Sequence, residues 1–494
     1  MEKQARGSLK AGCLNFTEIT AIAIALISPT MTGALIIPLM YSNAGNASWL
    51  AYLFGTVMLL FVALNLNQFA RRSTSTGSMY AYTVMGLGAT AGGVSAWSLV
   101  WAYLFDGIGG ITGATIFANA LLGMVGLQLP NLLLFAILCA IVWFLAYKDI
   151  RVSSIVMLVF ETVSVSLTLV LAMAVLHRHN FAIDTAQVTL KGASFSGVAL
   201  GVNIALFSMV GFESASAFGE EAKDPLVTIP RALIASLLLT RLFFVIISYT
   251  EVIGFTGYHT PLARAEAPLN ILANLMNMPY LKIPLSAGAA VSSFSAALSC
   301  LNAGARILYP MGRHGLLHSS LGAAHATNET PHVAVTILGA LLFLIPAAML
   351  WLPGTRVLDI FNCAGSLCAF GFLGAYGLIS ASAPAYLARM GAVRGRDFWI
   401  AAASLALLLF PVVGSVYPVP QWPVNTYPYM FLAYLVVGMV WVVRLHRGTP
   451  GLANDVRRHI YTDHGHDVPA ANSATADSSL ANSETARRRG GIGS

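Results

Sequence analysis

Charge is scarce in this chain. Aspartate, glutamate, lysine and arginine make up 10% of its 494 residues, whereas a soluble domain carries about 25%. That deficit argues against a water-soluble globule. The five cysteines (Cys13, Cys139, Cys300, Cys363, Cys368) lie in or beside apolar runs and in no metal-ligand spacing, which argues against a disulfide framework and a thiolate metal site. His177, His179, His314, His318, His325 and His332 form no tight ligand motif and are read as solvated loop residues. The sequence carries no phosphate loop, serine elbow or paired catalytic carboxylates. It therefore offers no basis for a nucleotide-driven pump, an enzyme or a bound cofactor. What it does have is apolar length: 57% hydrophobic residues and a mean hydropathy of +0.74.

Stretches of about 20 apolar residues, enough to cross a bilayer, occur twelve times. They lie near 16–41, 48–69, 93–121, 131–147, 152–176, 197–218, 231–254, 283–305, 332–352, 357–381, 398–417 and 428–443. The chain reads as an all-α integral membrane protein of about twelve transmembrane helices. With the N-terminus cytoplasmic, 16 lysines and arginines fall on the cytoplasmic side and 5 on the other, so the positive-inside rule places both termini in the cytoplasm and the protein in the plasma (inner) membrane. The net charge of +7 is then a topology signal, and no nucleic-acid partner is expected. The basic first residues lack the small-residue exit of a cleavable signal, so the first span is expected to stay in the bilayer. The expected organisation is a cytoplasmic N-terminus at 1–14, a transmembrane domain at 15–445, and a disordered cytoplasmic tail at 446–494, polar and ending in RRRGGIGS.

One segment is unusually specific. From Gly197 the chain reads GVALGVNIALFSMVGFESASAFGEEAKDPLVTIPRAL, a membrane-grade run up to Phe218 that carries one carboxylate, Glu213, just after a glycine, and then ends in the polar Gly219-Glu220-Glu221-Ala222-Lys223-Asp224-Pro225. An ionisable residue there is expensive and points to function. Pro230 is expected in the first turn of the next helix. Gly211-Phe212-Glu213, Gly219-Glu220-Glu221, Pro225 and Ile229-Pro230-Arg231, with Gly77-Ser78-Met79-Tyr80-Ala81-Tyr82 and Gly86-Leu87-Gly88, resemble the amino acid permeases of the amino acid–polyamine–organocation transporter superfamily. The resemblance covers roughly 12–445. It implies a five-plus-five inverted-repeat fold with repeats near 16–176 and 197–381 and added helices within 398–443.

Transporters built from inverted repeats place substrate where corresponding helices are interrupted near mid-membrane. Helix 1 contains Pro29, Thr30, Thr32 and Gly33, and helix 6 contains Ser208 and Gly211, so both interruptions fall in corresponding helices. Where a helix restarts, its free N–H groups can hold a carboxylate. Where it stops, its carbonyls can accept from an ammonium. By resemblance, the family uses these segments for the carboxylate and amine of its substrate. That maps onto Thr30, Met31, Thr32, Gly33 and Ala34, and onto Phe207, Ser208, Met209, Val210 and Gly211, with Phe207, Met209 and Phe212 as the apolar wall. Two departures stand out: Met31 takes the place of the family's first glycine at the helix 1 break, and helix 5 has no lysine for the proton switch of some members.

Four ionisable residues sit well inside spans: Asp106, Glu161, Glu213 and Arg241. Glu161 and Arg241 each lie about ten residues into helices that start on the same side, roughly 15 Å deep, which permits an ion pair; Glu213 is the competing partner. The pair would either lock helices together or break and re-form during transport, with one carboxylate carrying a coupled proton. Ser292, Ser293 and Ser295 could serve sodium, which ranks below the proton because such serines usually bond their own backbone. Glu18, Glu251 and Asp359, near span ends, are expected to be solvated. The expected function is amino acid transport by alternating access, coupled to protons. A polyamine carrier using Asp106 and Glu213, an exchanger, or a transporter-like nutrient receptor are the alternatives.

Overall fold

Backbone hydrogen bonding decides the architecture: in a bilayer every N–H and C=O must be satisfied within the protein, and a helix does this within its own segment. The computed structural model describes residues 12–73, 78–148, 150–265, 267–417, 419–449 and 451–462. Eleven stretches among them are long and apolar enough to cross a membrane, and the first, Phe16–Ala70, turns at Gly45–Ala47 and holds two crossings. Helix 1 begins as Phe16–Ile27 and ends as Ile37–Ala44; helix 2 is Ser48–Ala70, helix 3 Ala89–Met124, helix 4 Asn131–Lys148 and helix 5 Ile150–Arg178. Helix 6 starts as Phe195–Met209, followed by helix 7 (Pro225–Gly254), helix 8 (Lys282–Arg313), helix 9 (His332–Leu350) and helix 10 (Val357–Arg389). Helices 11 (Gly395–Gly414) and 12 (Tyr427–Gly448) complete the set. A short cap helix, Pro268–Leu275, packs over helices 1, 5, 7 and 8 on the face opposite the N-terminus.

Small residues set the closest approaches, as expected where lipid gives no hydrophobic drive between helices. A Cβ on Gly110 of helix 3 would lie 2.6 Å from the Ala297 backbone nitrogen of helix 8, and one on Gly371 of helix 10 would lie 2.8 Å from the Ala102 nitrogen of helix 3. Helix 3 is thus the central post. Helices 11 and 12 show the bilayer exposed residues such as Leu409, Val413, Val437 and Trp441.

Several boundaries differ from expectation, and helices 8 and 10 run on to Arg313 and Arg389, past the expected 305 and 381. Helix 7 starts at Pro225, so Pro230 lies inside it and Pro225 takes the first-turn position after Asp224. The tail is not disordered from residue 446. Helix 12 runs to Gly448, and a tail helix, Leu452–Thr462, packs on helix 3 and on the helix Ser78–Leu87 with Val456 and Ile460 buried. These two residues, at i and i+4, share one face of the helix, and Leu452 and Ala453 pack beside them. Residues 1–11 and 463–494 lie outside the described residues.

Candidate transport site

Helix 1 breaks one residue before its proline. A proline disfavours the α conformation in the residue ahead of it, and Ser28 adopts φ 52°, ψ 65°. The helix restarts as Pro29–Met31, then widens into a π-turn over Thr32–Ile36. A buried hydroxyl relay fixes the break: Ser28 Oγ lies 2.9 Å from Ser292 Oγ of helix 8, which donates to Glu161 Oε1 of helix 5 at 2.8 Å. Ser164 Oγ donates to Thr30 Oγ1 at 2.8 Å. The Glu161 carboxylate also lies beside the backbone of Thr30, at the restarting end where helix N–H groups lack intrahelical partners.

Helix 6 breaks differently. Its first half stops at Met209, Val210 is extended, Gly211 takes φ 105°, and a 3₁₀ helix runs from Phe212 to Phe218. Glycine is needed at 211, because a Cβ there would also meet Leu26 Cδ2 of helix 1 at 2.1 Å. The protein satisfies this break with its own charges. Arg241 of helix 7 donates to the Met209 carbonyl and to Thr240 Oγ1. Glu213 accepts from Gly211 N at 3.0 Å, Tyr103 Oη of helix 3 at 3.1 Å and Tyr376 Oη of helix 10 at 2.7 Å.

Phe207, in the last turn of helix 6 before its break, is held between helices 3 and 10. A Cβ on Gly109 of helix 3 would lie 2.6 Å from its ring, and one on Gly365 of helix 10 would lie 2.3 Å from it. Phe361 packs on it with ring centroids 5.1 Å apart. The Met31 sulfur faces Gly113 of helix 3, and the Met209 sulfur faces Gly55 of helix 2. Phe207 thus fills a two-glycine slot between helices 3 and 10, beside the break in helix 6, and the amino acid permease family matches residues 14–441.

The chain belongs to the amino acid permease family. It is 25% identical over 391 residues to the branched-chain amino acid permease BcaP of Bacillus subtilis, covering 75% of this chain and 80% of that one. It is 29% identical over 309 residues to the low-affinity putrescine importer PlaP of Escherichia coli K12, covering 60% of this chain and 66% of that one. Among solved structures, MhsT in complex with L-phenylalanine superposes with a TM-score of 0.50 at 14% identity, covering 88% of this chain and 99% of that one. That likeness speaks to fold alone: an all-α, five-plus-five inverted-repeat membrane transporter with helices 1 and 6 broken.

In this permease the sequence-derived site residues fall into three groups. Thr30, Met31, Thr32, Gly33 and Ala34 occupy the restart of helix 1, and Phe207, Ser208, Met209, Val210, Gly211 and Phe212 line the break in helix 6, all buried. Glu161 and Arg241 do not form the expected ion pair: one serves the helix 1 break through Ser292 and the other caps helix 6 through Met209. Equal depth did not fix their direction around the helix axes. Asp106 lies against the Cys300 thiol of helix 8, close enough to Glu213 and Tyr103 to interact with both. Ser293 bonds its own backbone at Ala289, whereas Ser292 bridges the relay.

Sequence reading missed Ser28, Tyr103, Tyr376 and the two glycines of the slot, because a polar or small residue in an apolar run does not reveal which helix it faces. It also misplaced Glu18 and Glu251. Glu18 is buried in the capping box with Asn15 that starts helix 1, and Glu251 is 1% exposed. Asp359 lies outside the site, with its half-exposed carboxylate paired to Arg356 at 3.0 Å.

Proposed function

We propose that this permease is a secondary carrier of α-amino acids that works by alternating access, with uptake coupled to protons across the plasma membrane and both termini in the cytoplasm. The carrying observation is that the two broken helices meet, with Gly211 of the helix 6 break packed on Leu26 of helix 1, while Glu161 stands at the restart of helix 1. A substrate carboxylate and the Glu161 carboxylate are drawn to the same helix N-terminus. Neutralising Glu161 with a proton removes the repulsion and frees that end for the substrate, so proton and substrate binding reinforce each other. Because Met209 C=O is engaged by Arg241, the substrate ammonium is assigned to the carbonyls ending the first half of helix 1. Phe207 leaves its slot to admit the side chain. The apolar wall of Met31, Phe207 and Phe361 suits an apolar amino acid, and the likeness to a branched-chain permease supports the same class.

Thermal stabilisation of the purified protein tests this. A ligand at 100 times its Kd adds about 2.7 kcal/mol, readily seen as a shift in Tm. The panel holds leucine, isoleucine, valine, arginine and putrescine at pH 5.5 and 7.5. Leucine-class shifts that are larger at pH 5.5 are expected. Stabilisation by putrescine alone would replace this reading with a diamine carrier, for which the likeness to PlaP is the motive.

A further inference from the structure

Glu251 stands outside the machinery described so far. It lies near the far end of helix 7, is 1% exposed, and neither carboxyl oxygen has a hydrogen-bond partner. It abuts the helix 1 break: a Cβ on Gly33 would sit 3.3 Å from Glu251 Oε1, with Ile247 and Leu269 beside it. A cavity of about 10 Å³ adjoins it, lined by Thr168, Leu171, Thr250, Leu269 and Leu272 among others, with room for no more than one water. Leu269 and Leu272 belong to the cap helix, which is tied down by Asn270 Nδ2 donating to Ser286 Oγ at 2.9 Å and by Arg178 donating to the Leu275 carbonyl.

Three occupants of those oxygens can be weighed. A hard metal cation needs several oxygen ligands arranged around it, and the cavity beside Glu251 has room for no more than one water. A substrate ammonium needs up to three acceptors in a space the size of one water. A proton needs one oxygen and no further room. Among the described residues, the titratable side chain facing Glu251 from another element is Tyr52 of helix 2. Helix 1 presents Gly33, helix 5 presents Thr168 and Leu171, the cap helix presents Leu269 and Leu272, and the nearest charge on its own helix is Arg241, ten residues back.

We propose that Glu251 is a proton-binding site that governs the cap helix: protonated when the cap is closed over the helix 1 break, and releasing its proton to water when the cap opens. Isolating an ionised carboxylate without donors costs several kcal/mol, so the closed arrangement requires the neutral acid. Opening hydrates the group and lets the O–H bond break, the proton passing to water on the cap side. The sign follows by linkage. The closed state binds one more proton than the open state, so low pH favours closure and rising pH favours opening, by at most about tenfold per pH unit. The direction of coupling to transport rests on the carrier reading above; the cap's response to pH does not.

Hydrogen–deuterium exchange of the full chain in lipid nanodiscs, followed at residues 268–281 from pH 5.5 to 7.5 and corrected for intrinsic exchange, reads the cap without any substrate. Wild-type protection should fall by up to about tenfold per pH unit, while E251Q should stay protected with less than about a twofold change across the range. E251D, still ionisable, should keep the response with a displaced midpoint. A flat wild-type profile, an E251Q profile that tracks the wild type, or an unmoved midpoint in E251D would each overturn the proposal. If E251Q fails to fold, the wild-type and E251D profiles decide. A parallel leucine counterflow assay in proteoliposomes separates the two readings: absent counterflow in the wild type counts against leucine-class transport and leaves the cap result standing.

Discussion

Glu213 shows how one side chain can make a broken helix tolerable inside a membrane. An ionised carboxylate there would be prohibitive alone, yet its oxygens receive the Gly211 amide and the hydroxyls of Tyr103 and Tyr376. Those donors come from helices 6, 3 and 10, so the charge ties the interrupted segment to both walls of the Phe207 slot. Hydrogen bonds to a charged group contribute about 1.5–3 kcal/mol each, against about 1 kcal/mol for neutral pairs. E213Q retains size and one acceptor but loses the charge, so leucine uptake should fall at least about tenfold. Y376F removes one donor and leaves the carboxylate, and should cost less. Initial uptake rates in proteoliposomes, with Tm measured in parallel, rank the two. Equal activity of E213Q and wild type would reduce Glu213 to packing. Arg241 is the counterpart at the other side of the break: its guanidinium takes the carbonyl that helix 6 leaves open, which is why Glu161 is left free to serve helix 1.

At the scale of elements, the break positions carry the most information. G365A on helix 10 would bring a methyl to 2.3 Å from the Phe207 ring, whereas a Cβ on Gly377 of the same helix meets nothing within 4 Å. Overpacking typically costs about 1–3 kcal/mol, and here it is relieved by expelling Phe207 from its slot. G365A is therefore expected to reduce leucine affinity about tenfold or more, and G377A to match the wild type. Titration of thermal stabilisation with leucine checks both, and parallel behaviour of the two variants would remove the slot from the site. Much of this was legible in the chain. Pro29, Gly211 and Glu213 announced the two interruptions, because proline, glycine and a buried acid each have a physical reason to be there. The helix spans emerged because apolar length is a one-dimensional quantity, although helices 8 and 10 run on past their expected ends to Arg313 and Arg389, whose last turns are more polar. Azimuth is not: Glu161 and Arg241 lie at equal depth yet face different breaks, and Glu251, near a span end, looked wet until the cap helix covered it. Ser28 was passed over for Thr30, although the proline effect on the preceding residue was the clue.

Among the described residues, the two faces of the molecule are covered by unlike means. On the far face the cap helix covers Glu251 with Leu269 and Leu272 and is held by two hydrogen bonds, Asn270 to Ser286 and Arg178 to the Leu275 carbonyl. On the N-terminal face the cover is polar and built around the segment after helix 6: Leu14 N donates to the Glu221 carbonyl at 2.8 Å and Lys223 N donates to the Leu14 carbonyl at 2.7 Å, so the segment before helix 1 is stitched to that loop. Glu221 then grips Arg306 of helix 8 through two bonds of 2.7 Å, while the guanidinium lies 4.7 Å over the Phe218 ring. One loop thus binds the start of the chain, the end of broken helix 6 and helix 8. Any opening of this face must part that fully buried pair. Removing one partner of such a pair costs about 3–5 kcal/mol, and the cost falls on the state in which the pair is formed. E221Q should therefore shift the population toward a molecule open at the N-terminal face, rather than simply weaken the fold. Cys300 reports on this directly, being buried in helix 8 six residues, about 9 Å, deeper than Arg306. Its modification by a water-soluble methanethiosulfonate, followed by mass spectrometry, should accelerate at least about tenfold in E221Q. R306K keeps the charge but loses the two-pronged geometry and should fall between. An unchanged Cys300 rate in an E221Q protein of lowered Tm would make the pair a structural lock, with the opening of that face controlled elsewhere.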